Sequence, residues 1–155
     1  MTELDLVPQN TPAEGSESTA NPRWQTPPEP LDPIKDFDSG ALRPELVAAI
    51  KKLGWNTPTP VQELCLPHTL VGRDVAGFAQ TGTGKTGVFL ITAINRFLAR
   101  RHDGSVQPEI ACPFALVLVP TRELAIQIQS DGEPFFEQFN IKSLAVYGGI
   151  DYEKK

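Results

Sequence analysis

Apolar side chains recur every three or four residues in four parts of the chain. This spacing predicts helices over about 43–53, 60–70, 85–100 and 122–138. The first has one apolar face, whereas the third is apolar on more than one side and is expected to lie in the interior. Gly54 is expected to end the first helix, because glycine readily adopts the left-handed conformation found at helix ends.

The start of the second helix carries a capping signal. The letters TPVQ predict Thr59 as the cap, Pro60 at the first helical position and Gln62 as the reciprocal capping partner. Proline inside a helix removes a backbone donor. We therefore expect Pro67 to kink or shorten the second helix and Pro134 to interrupt the fourth.

Three short segments between the helices are rich in apolar residues. They predict strands over 75–78, 114–119 and about 143–147. The run over 114–119 is unbroken, which implies burial on both faces, as in a parallel sheet. Because strands alternate with helices, the predicted fold is α/β with a three-layer parallel sheet.

The first 33 residues differ in composition from the rest. Seven prolines fall within residues 1–34, and few large apolar side chains are present to offset the entropy of ordering. We therefore predict a disordered, acidic, proline-rich tail over 1–33. Trp24 is unusual there, and it is either a docking residue for a protein partner or a bystander.

Charge is distributed unevenly along the 155 residues. The net charge is −5, but residues 1–40 hold eight acidic and two basic side chains, which leaves +1 on the remainder. The part expected to fold is therefore nearly neutral. Any contact with nucleic acid must come from a few placed groups and from backbone amides, because no broad basic surface exists.

Several function classes are excluded by composition. The longest apolar run, 114–119, is far too short to span a bilayer, and the acidic start of the chain does not resemble a secretory signal. Cys65 and Cys112 have no neighbours at metal-site spacing, so we expect two small core residues in a reducing compartment. The predicted location is the cytoplasm.

The segment AQTGTGKT, residues 79–86, follows a predicted strand and opens a predicted helix. Gly82 and Gly84 allow the backbone to approach an anion closely. The amides of residues 82–86 would then point at a β-phosphate from the positive end of a helix. The alternative is a glycine-rich turn with no ligand, but the strand and helix context favours a nucleoside triphosphate site.

Two side chains of this loop are the candidates for chemistry. Lys85 is expected to reach the β- and γ-phosphates, and the Thr86 hydroxyl is expected to ligate Mg²⁺. Ala79 stands where the first glycine of such loops is usual. This departure is mild, because that position faces away from the phosphates.

A second element lies upstream. Phe37 precedes Gly54 by 17 residues, GWNTPTPVQ follows at 54–62, and Gln62 precedes Ala79 by 17 residues. The arrangement resembles the Q motif of DEAD-box helicases followed by their motif I. The resemblance implies that Gln62 pairs with the adenine edge and that an upstream aromatic residue, here Phe37, packs on the base.

Adenine offers a donor at N6 and an acceptor at N7, which a carboxamide matches, whereas guanine would leave Gln62 mismatched. ATP with Mg²⁺ is therefore the expected cofactor. Without the resemblance, Gln62 is explained as a capping residue, which is compatible with base reading, and Phe37 as a plain core residue. The resemblance assigns ATP binding to Phe37, Gln62, Ala79, Gln80, Thr81, Gly82, Thr83, Gly84, Lys85 and Thr86.

The segment PTRELA at 120–125 resembles motif Ia of the same family, and a glycine pair after the third predicted strand resembles its GG element. By themselves these are a good helix cap and a turn. The resemblance implies contacts to the RNA backbone, where hydroxyl, guanidinium and amide groups bind phosphates without reading bases. The residues concerned are Pro120, Thr121, Arg122, Gly148 and Gly149.

The resemblance covers about 34–155, with a Q-motif region at 34–63 and a partial RecA-like, P-loop NTPase domain at 64–155. The residues around the motifs are similar to those of the bacterial RhlB-type subgroup. The resemblance implies an ATP-dependent RNA helicase. Other interpretations are a different P-loop ATPase, or a non-catalytic module that binds nucleotide or a partner.

The DEAD tetrad, the SAT motif and the second RecA-like domain of the family are expected beyond Lys155. They would hold Mg²⁺, orient water and supply transition-state arginines, which alone contribute roughly 10³–10⁵ in rate. We therefore expect the 155-residue polypeptide to bind ATP and RNA but not to hydrolyse ATP appreciably. It is a part of a longer protein, the product of a truncated gene or a short product with its own role.

Overall fold

Four α-helices form in the part of the chain that the structure, a computed structural model, describes: residues 28–102, 104 and 113–148. In chain order they are α1 (Pro44–Lys52), α2 (Pro60–Leu70), α3 (Lys85–His102) and α4 (Arg122–Phe139). All four begin and end close to their predicted bounds. Of the tail predicted to be disordered, residues 1–27, with Trp24, lie outside the described residues, whereas 28–33 are described.

The predicted interruption of the fourth helix at Pro134 and the predicted shortening of the second helix at Pro67 are wrong, whereas a kink at Pro67 stays a prediction. Helix α2 continues through Pro67 to Leu70, and α4 continues through Pro134. In α4 the residues that follow the proline, Phe135 and Phe139, are buried. Burial of such large side chains offsets one lost backbone hydrogen bond, because packing rather than local propensity provides most of a helix's stability.

No strand forms at any of the three segments predicted to be strands, all of which lie among the described residues. The parallel sheet is therefore not confirmed. Several side chains expected in the sheet interior are exposed instead: Phe78, Leu116, Leu118, Leu144 and Val146. A strand is stabilised by ladder hydrogen bonds to neighbours and by elements that cover its faces, and an apolar run by itself provides neither.

The chain divides into two compact units, with the boundary between Arg96 and Phe97 inside α3. In the first unit the Thr69 and Thr92 hydroxyls lie 2.7 Å apart and join α2 to α3. The backbone N–H of Arg43 donates to Asn95 Oδ1 at 2.8 Å, which satisfies a donor just before α1. The largest buried side chains of this unit are Ile34, Phe37, Leu46, Ile50, Leu66 and Ile91.

Residues 28–31, from the predicted tail, contact this unit. The Leu31 N–H donates to the Pro67 carbonyl at 3.4 Å, and Arg73 Nε donates to the Pro28 carbonyl at 3.0 Å. The Arg73 guanidinium also lies 3.4 Å from the Glu29 carboxylate. These contacts hold the segment just before Ile34 beside α2.

In the second unit α4 packs through Phe135 and Phe139, and Arg101 donates to the Phe139 carbonyl at 3.0 Å. The rings of Phe97 and Phe114 meet edge to face with centroids 5.5 Å apart. Helix α4 ends at Phe139 and is followed by the cap residue Asn140, whose φ of 53° is left-handed. No helix in the described ranges is long and apolar enough to traverse a bilayer.

Candidate functional site

The predicted phosphate loop has the backbone that such a loop requires. Gly82 and Gly84 have φ of 80° and 96°, values that side chains other than glycine rarely adopt. Helix α3 begins directly afterwards, at Lys85. The first N–H groups of a helix lack intrahelical partners and lie at its positive end, so this backbone is suited to hold an anion.

Side chains of the loop bond to the loop itself. The Lys85 ammonium donates to the carbonyls of Ala79 and Gln80, the latter at 2.6 Å. The Thr83 hydroxyl also donates to the Gln80 carbonyl, at 2.8 Å. An ammonium has three donors, so Lys85 keeps one for a phosphate oxygen while it retains both of these contacts.

Gln62 is the predicted base-reading residue that the structure brings to this loop. Its Nε2 donates to the Gly84 carbonyl at 3.1 Å, although the two residues are 22 positions apart. Its Oε1 accepts from the Thr59 backbone N–H at 3.0 Å, which is one half of the predicted capping arrangement. Only 4% of Gln62 is exposed, and it is the buried polar residue of the described core.

The other half of the capping arrangement is only loosely formed. Thr59 faces the backbone amide of Gln62, as in a capping box, but its hydroxyl accepts no hydrogen bond of normal geometry from that amide. Thr59 Oγ1 is buried without a partner among the described residues. A side chain at Gly84 would place Cβ 2.9 Å from this oxygen, so the hydroxyl lies against the phosphate loop. A buried polar atom without a partner, beside the predicted phosphate loop, is compatible with a site for a polar ligand.

The remaining residues predicted to bind ATP differ in accessibility. Gln80, Thr81 and Gly82 are exposed, and Thr86 is half-buried. Phe37 is completely buried, so its ring offers no face to a base in this structure. Its burial fits the alternative interpretation as a core residue.

The Mg²⁺ prediction concerns the Thr86 hydroxyl alone. Within the described ranges no group of three or more His, Cys, Asp or Glu side chains could hold a metal ion. Mg²⁺ prefers six oxygen ligands and is commonly bound through one or two protein groups together with substrate phosphates. Thr86 at the start of α3 fits that mode of binding.

The residues predicted to contact RNA belong to the second unit. Thr121 caps α4, because its hydroxyl accepts from the Leu124 N–H at 3.3 Å. Arg122 is exposed and its Nε lies 2.7 Å from the carboxylate of Glu123. Pro120 and Gly148 are exposed, and Gly149 lies outside the described residues.

The carboxylate of Glu123 accepts hydrogen bonds from Arg122 and Thr121, two of the residues that were predicted to contact RNA phosphates. Its pKa is lowered, first by the hydrogen bond from Arg122 and also by its own backbone N–H and the Thr121 hydroxyl. Because all of these donors stabilise the charged form, the start of α4 favours an anion. In this structure the anion that these groups hold is the Glu123 carboxylate itself.

Two residues that lie close to Gln62 and the predicted phosphate loop (79–86) were not predicted from the sequence to belong to the nucleotide region that these elements form. Thr59 was predicted only as a helix cap, yet it lies against Gly84. Gly87, in the first turn of α3, lies so close to Gln62 that an added Cβ would be 2.5 Å from Nε2. An isolated glycine inside a predicted helix indicates close packing, so Gly87 could have been predicted to contact another element.

Comparison with known proteins agrees with these motifs. The family model for DEAD/DEAH box helicases matches residues 59–155. The chain is 48% identical over 119 residues to the ATP-dependent RNA helicase RhlB of Cronobacter sakazakii, covering 77% of this chain and 28% of that protein. It is 46% identical over the same length to RhlB of Escherichia coli strain K12. The chain thus spans about 28% of the length of these curated relatives.

Among solved structures, the chain resembles the RNA helicase Prp28 from Chaetomium thermophilum bound to ADP. The TM-score is 0.68 at 31% identity, over 79% of this chain and 29% of that one. The structural neighbours are thus helicase domains, as the motifs predicted. Because the family model matches residues 59–155, more than half of its length, the chain belongs to the DEAD/DEAH box helicase family.

Proposed function

We propose that the chain is the nucleotide-docking part of an ATP-dependent RNA helicase. The observation that carries the proposal is the hydrogen bond from Gln62 to the Gly84 carbonyl. It joins the residue predicted to read the base to the loop predicted to hold the phosphates. Contact between two motifs that are distant in sequence supports a single site for both, and the family's activity indicates ATP as its ligand.

Selection of ATP follows from the Gln62 carboxamide. Each of its polar atoms has one protein partner, which leaves one lone pair on Oε1 and one hydrogen on Nε2. Adenine presents a complementary donor and acceptor, whereas guanine presents two acceptors on the same edge. A mismatched buried group costs roughly 1–3 kcal/mol, so ATP should bind roughly 5- to 150-fold more tightly than GTP.

The phosphates would lie on the amides of residues 82–86, with Lys85 and the Thr86 hydroxyl as the side chains nearest the triphosphate and Mg²⁺. Bound ATP supplies the phosphoryl group whose transfer to water powers helicases of this family. The residues present bind and orient that group. We expect no appreciable hydrolysis by the 155-residue polypeptide alone, since its sequence contains no DEAD tetrad.

The start of α4 would contact RNA through its backbone. Thr121 and Arg122 provide a hydroxyl, amides and an exposed guanidinium. Such groups bind phosphates irrespective of the base, so the sequence preference is weak. The accessible glycine at 148 would let a strand of RNA approach the main chain.

Three further expectations belong to the complete helicase. We propose that the segments 75–78, 114–119 and 143–147 become strands of a parallel, RecA-like sheet once partner strands cover them. The acidic tail over 1–33, of which residues 28–31 contact the first unit, would engage a protein partner. Cytoplasmic RNA is the expected substrate.

Isothermal titration calorimetry of the 155-residue chain with Mg-ATP and Mg-GTP tests nucleotide binding. We expect measurable affinity for ATP, a weaker one for GTP, and a large loss for both in Lys85→Ala. Lys52→Ala, which removes the same charge from the exposed end of α1, is the matched control and should bind as the unchanged chain does. Equal affinity for ATP and GTP would favour a different P-loop ATPase.

Fluorescence anisotropy with a labelled single-stranded RNA tests the second half of the proposal. Arg122→Ala should weaken binding and reduce the salt slope by about 0.7, the contribution of one phosphate on a single strand. Deletion of residues 1–33 should leave RNA binding and ATP binding intact. If that deletion abolished every measured interaction, the chain would instead be a tail-mediated binding module.

A further inference from the structure

The carboxyl-terminal end of α2 is completed by a residue that precedes the first helix. The last carbonyls of a helix lack intrahelical donors and need partners from elsewhere. Those of His68 and Thr69 accept from the turn that follows, at 3.0 and 3.1 Å. The Val71 N–H also bonds to Thr69, so it does not serve the Pro67 carbonyl. The Leu31 N–H donates to that carbonyl instead, at 3.4 Å, and thus caps α2 from outside the helix.

Arg73, in the turn after α2, attaches the same segment at a second point. Its Nε donates to the Pro28 carbonyl at 3.0 Å, and its guanidinium lies 3.4 Å from the Glu29 carboxylate. A guanidinium presents several donors in a fixed fork, so it can hold a carbonyl and the neighbouring carboxylate together. The Glu29 side chain is 93% exposed, so water screens the ion pair. The hydrogen bond to the Pro28 carbonyl is therefore the stronger of these two attachments.

The sequence of residues 28–31, PEPL, suits this kind of attachment. Proline has a fixed φ, which keeps the segment extended and lowers the entropy lost when it is ordered. Proline also has no N–H, so Pro28 and Pro30 leave no donor that would need a partner. The surrounding residues 1–40 hold eight acidic and two basic side chains, whereas Arg73 is a cation. Charge therefore favours docking of this segment on Arg73.

The docked segment joins the core to the acidic tail. Three residues after Leu31 the chain enters the core at Ile34, which is only 2% exposed. In the other direction the sequence continues into residues 1–27. Because the Pro28 carbonyl and the Leu31 N–H are already bonded to the first unit, a protein that captures these residues must first detach them from it.

We propose that Arg73 and the end of α2 form a docking surface for an extended, acidic, proline-containing segment, and that residues 28–31 occupy it as an internal strap. The strap limits the access of a tail-binding protein to these residues. A protein that binds only the open form has its affinity reduced by the fraction of chains in which the strap is open. One hydrogen bond of ordinary strength makes this reduction roughly fivefold. The inference concerns the tail and does not depend on nucleotide binding.

Surface plasmon resonance with an antibody against the peptide of residues 25–33 measures this competition, with the antibody standing for a tail-binding protein. The antibody is chosen so that its epitope, mapped by alanine scanning of the free peptide, includes residues 28–31. We expect it to bind the whole chain roughly fivefold more weakly than the free peptide. Arg73→Ala removes the attachment to the Pro28 carbonyl and should restore most of the affinity of the peptide.

Arg96→Ala is the matched control. The Arg96 guanidinium lies beside the same turn, since a Cβ at Gly72 would be 2.9 Å from it. In the described part of the chain it makes no hydrogen bond or ion pair with residues 28–31. Its removal takes the same charge from the same place and should leave the antibody affinity unchanged.

Hydrogen exchange followed by NMR gives a readout that needs no antibody. Exchange of the Leu31 amide should become roughly fivefold faster in Arg73→Ala. Glu29→Gln changes an exposed side chain that the fold does not need, and it should have a smaller effect. That effect should vanish in about 1 M salt, where the Debye length is about 3 Å. The Lys35 amide, which donates locally to the Pro33 carbonyl, should exchange at one rate in all variants.

Three results would overturn the inference. An antibody that binds the unchanged chain as tightly as the free peptide would show that the strap is open in solution. Equal effects of Arg73→Ala and Arg96→Ala would show that any nearby positive charge attracts the tail, without a specific attachment. A Leu31 amide that exchanges equally fast in the unchanged chain and in Arg73→Ala would show that Arg73 does not hold the segment.

Discussion

The predicted nucleotide region of the first unit (Thr59, Gln62 and the loop 79–86) and the apolar segment 114–119 of the second unit differ in how far their side chains are buried and in contact with other residues. Around the phosphate loop, Gln62, Thr59 and Gly84 approach one another closely and Gln62 is buried. Over 114–119, side chains of the same apolar character as a protein core are exposed, with Leu116 at 80% and Leu118 at 85%. The phosphate loop and the segment 114–119 were both predicted to be ordered elements of the partial RecA-like domain.

The two regions differ in how far along the sequence the residues that stabilise them lie. The nucleotide region is assembled by helix starts and a glycine loop, whose partners lie within the first unit. A parallel strand needs neighbours on both edges and helices on both faces, and these come from distant parts of a chain. A segment can therefore have the composition of a buried strand and still lie exposed where those partners are not in place.

Truncation of one leucine in each region should give the largest contrast. Leu66 is fully buried, so Leu66→Ala is expected to lower the free energy of unfolding by about 2–5 kcal/mol through lost burial and a residual cavity. Leu118→Ala, at 85% exposure, should change it by less than about 0.5 kcal/mol. Urea denaturation followed by circular dichroism measures both.

Leu116→Ala provides a second exposed position with the same chemistry. Should either exposed leucine prove as costly as Leu66, the segment 114–119 would be buried in solution, and the contrast between the two regions would disappear. A change in the slope of unfolding free energy against urea concentration in either exposed variant would point to the same conclusion. That slope follows the surface that unfolding exposes.

A substitution inside the nucleotide region should have the next largest effect. Gly84→Ala forces a side chain into a left-handed conformation, which costs about 1–2 kcal/mol. It also brings Cβ to 2.9 Å from Gln62 Nε2 and from Thr59 Oγ1, and overpacking of this kind adds about 1–3 kcal/mol. Reduced stability in urea and loss of ATP binding in calorimetry are both expected.

Gly40→Ala is the matched control, because Gly40 has a φ of 84° but nothing within 4 Å of its added Cβ. It should show the backbone cost alone and leave ATP binding unchanged. The difference between the two variants measures the packing of Gln62 and Thr59 against the loop. Equal losses of stability would mean that this packing contributes nothing.

Features that depend on neighbouring residues were predictable from the sequence, whereas contacts between distant residues were not. The helices were predictable because caps such as Thr59 and Thr121 and the apolar spacing are local signals. Gln62 was assigned to the site from a motif, but its bond to Gly84 depends on how two helix starts pack, which no local pattern specifies. The burial of Phe37, which the family resemblance assigned to the base, likewise follows from packing.

The smallest expected effect concerns the start of α4, where the side chains of Arg122 and Glu123 are both exposed. Arg122 beside Glu123 is the leading cause of the lowered pKa of that carboxyl. Arg122→Ala should therefore raise the pKa of Glu123 toward its ordinary value, as measured by carbon-detected NMR titration. Lys142→Ala, which removes an equal charge from an exposed position of the same unit, should leave it nearly unchanged.

The sign of the accompanying stability change follows from linkage. A carboxyl whose pKa is lower in the folded than in the unfolded chain stabilises the fold above the unfolded pKa, and this contribution is lost as pH falls through the folded pKa. The contribution from Glu123 should be slight, because water and salt screen an exposed ion pair. A Glu123 pKa that does not move in Arg122→Ala would show that the guanidinium is directed elsewhere in solution. Arg122 would then be free to bind a phosphate without displacing an internal partner.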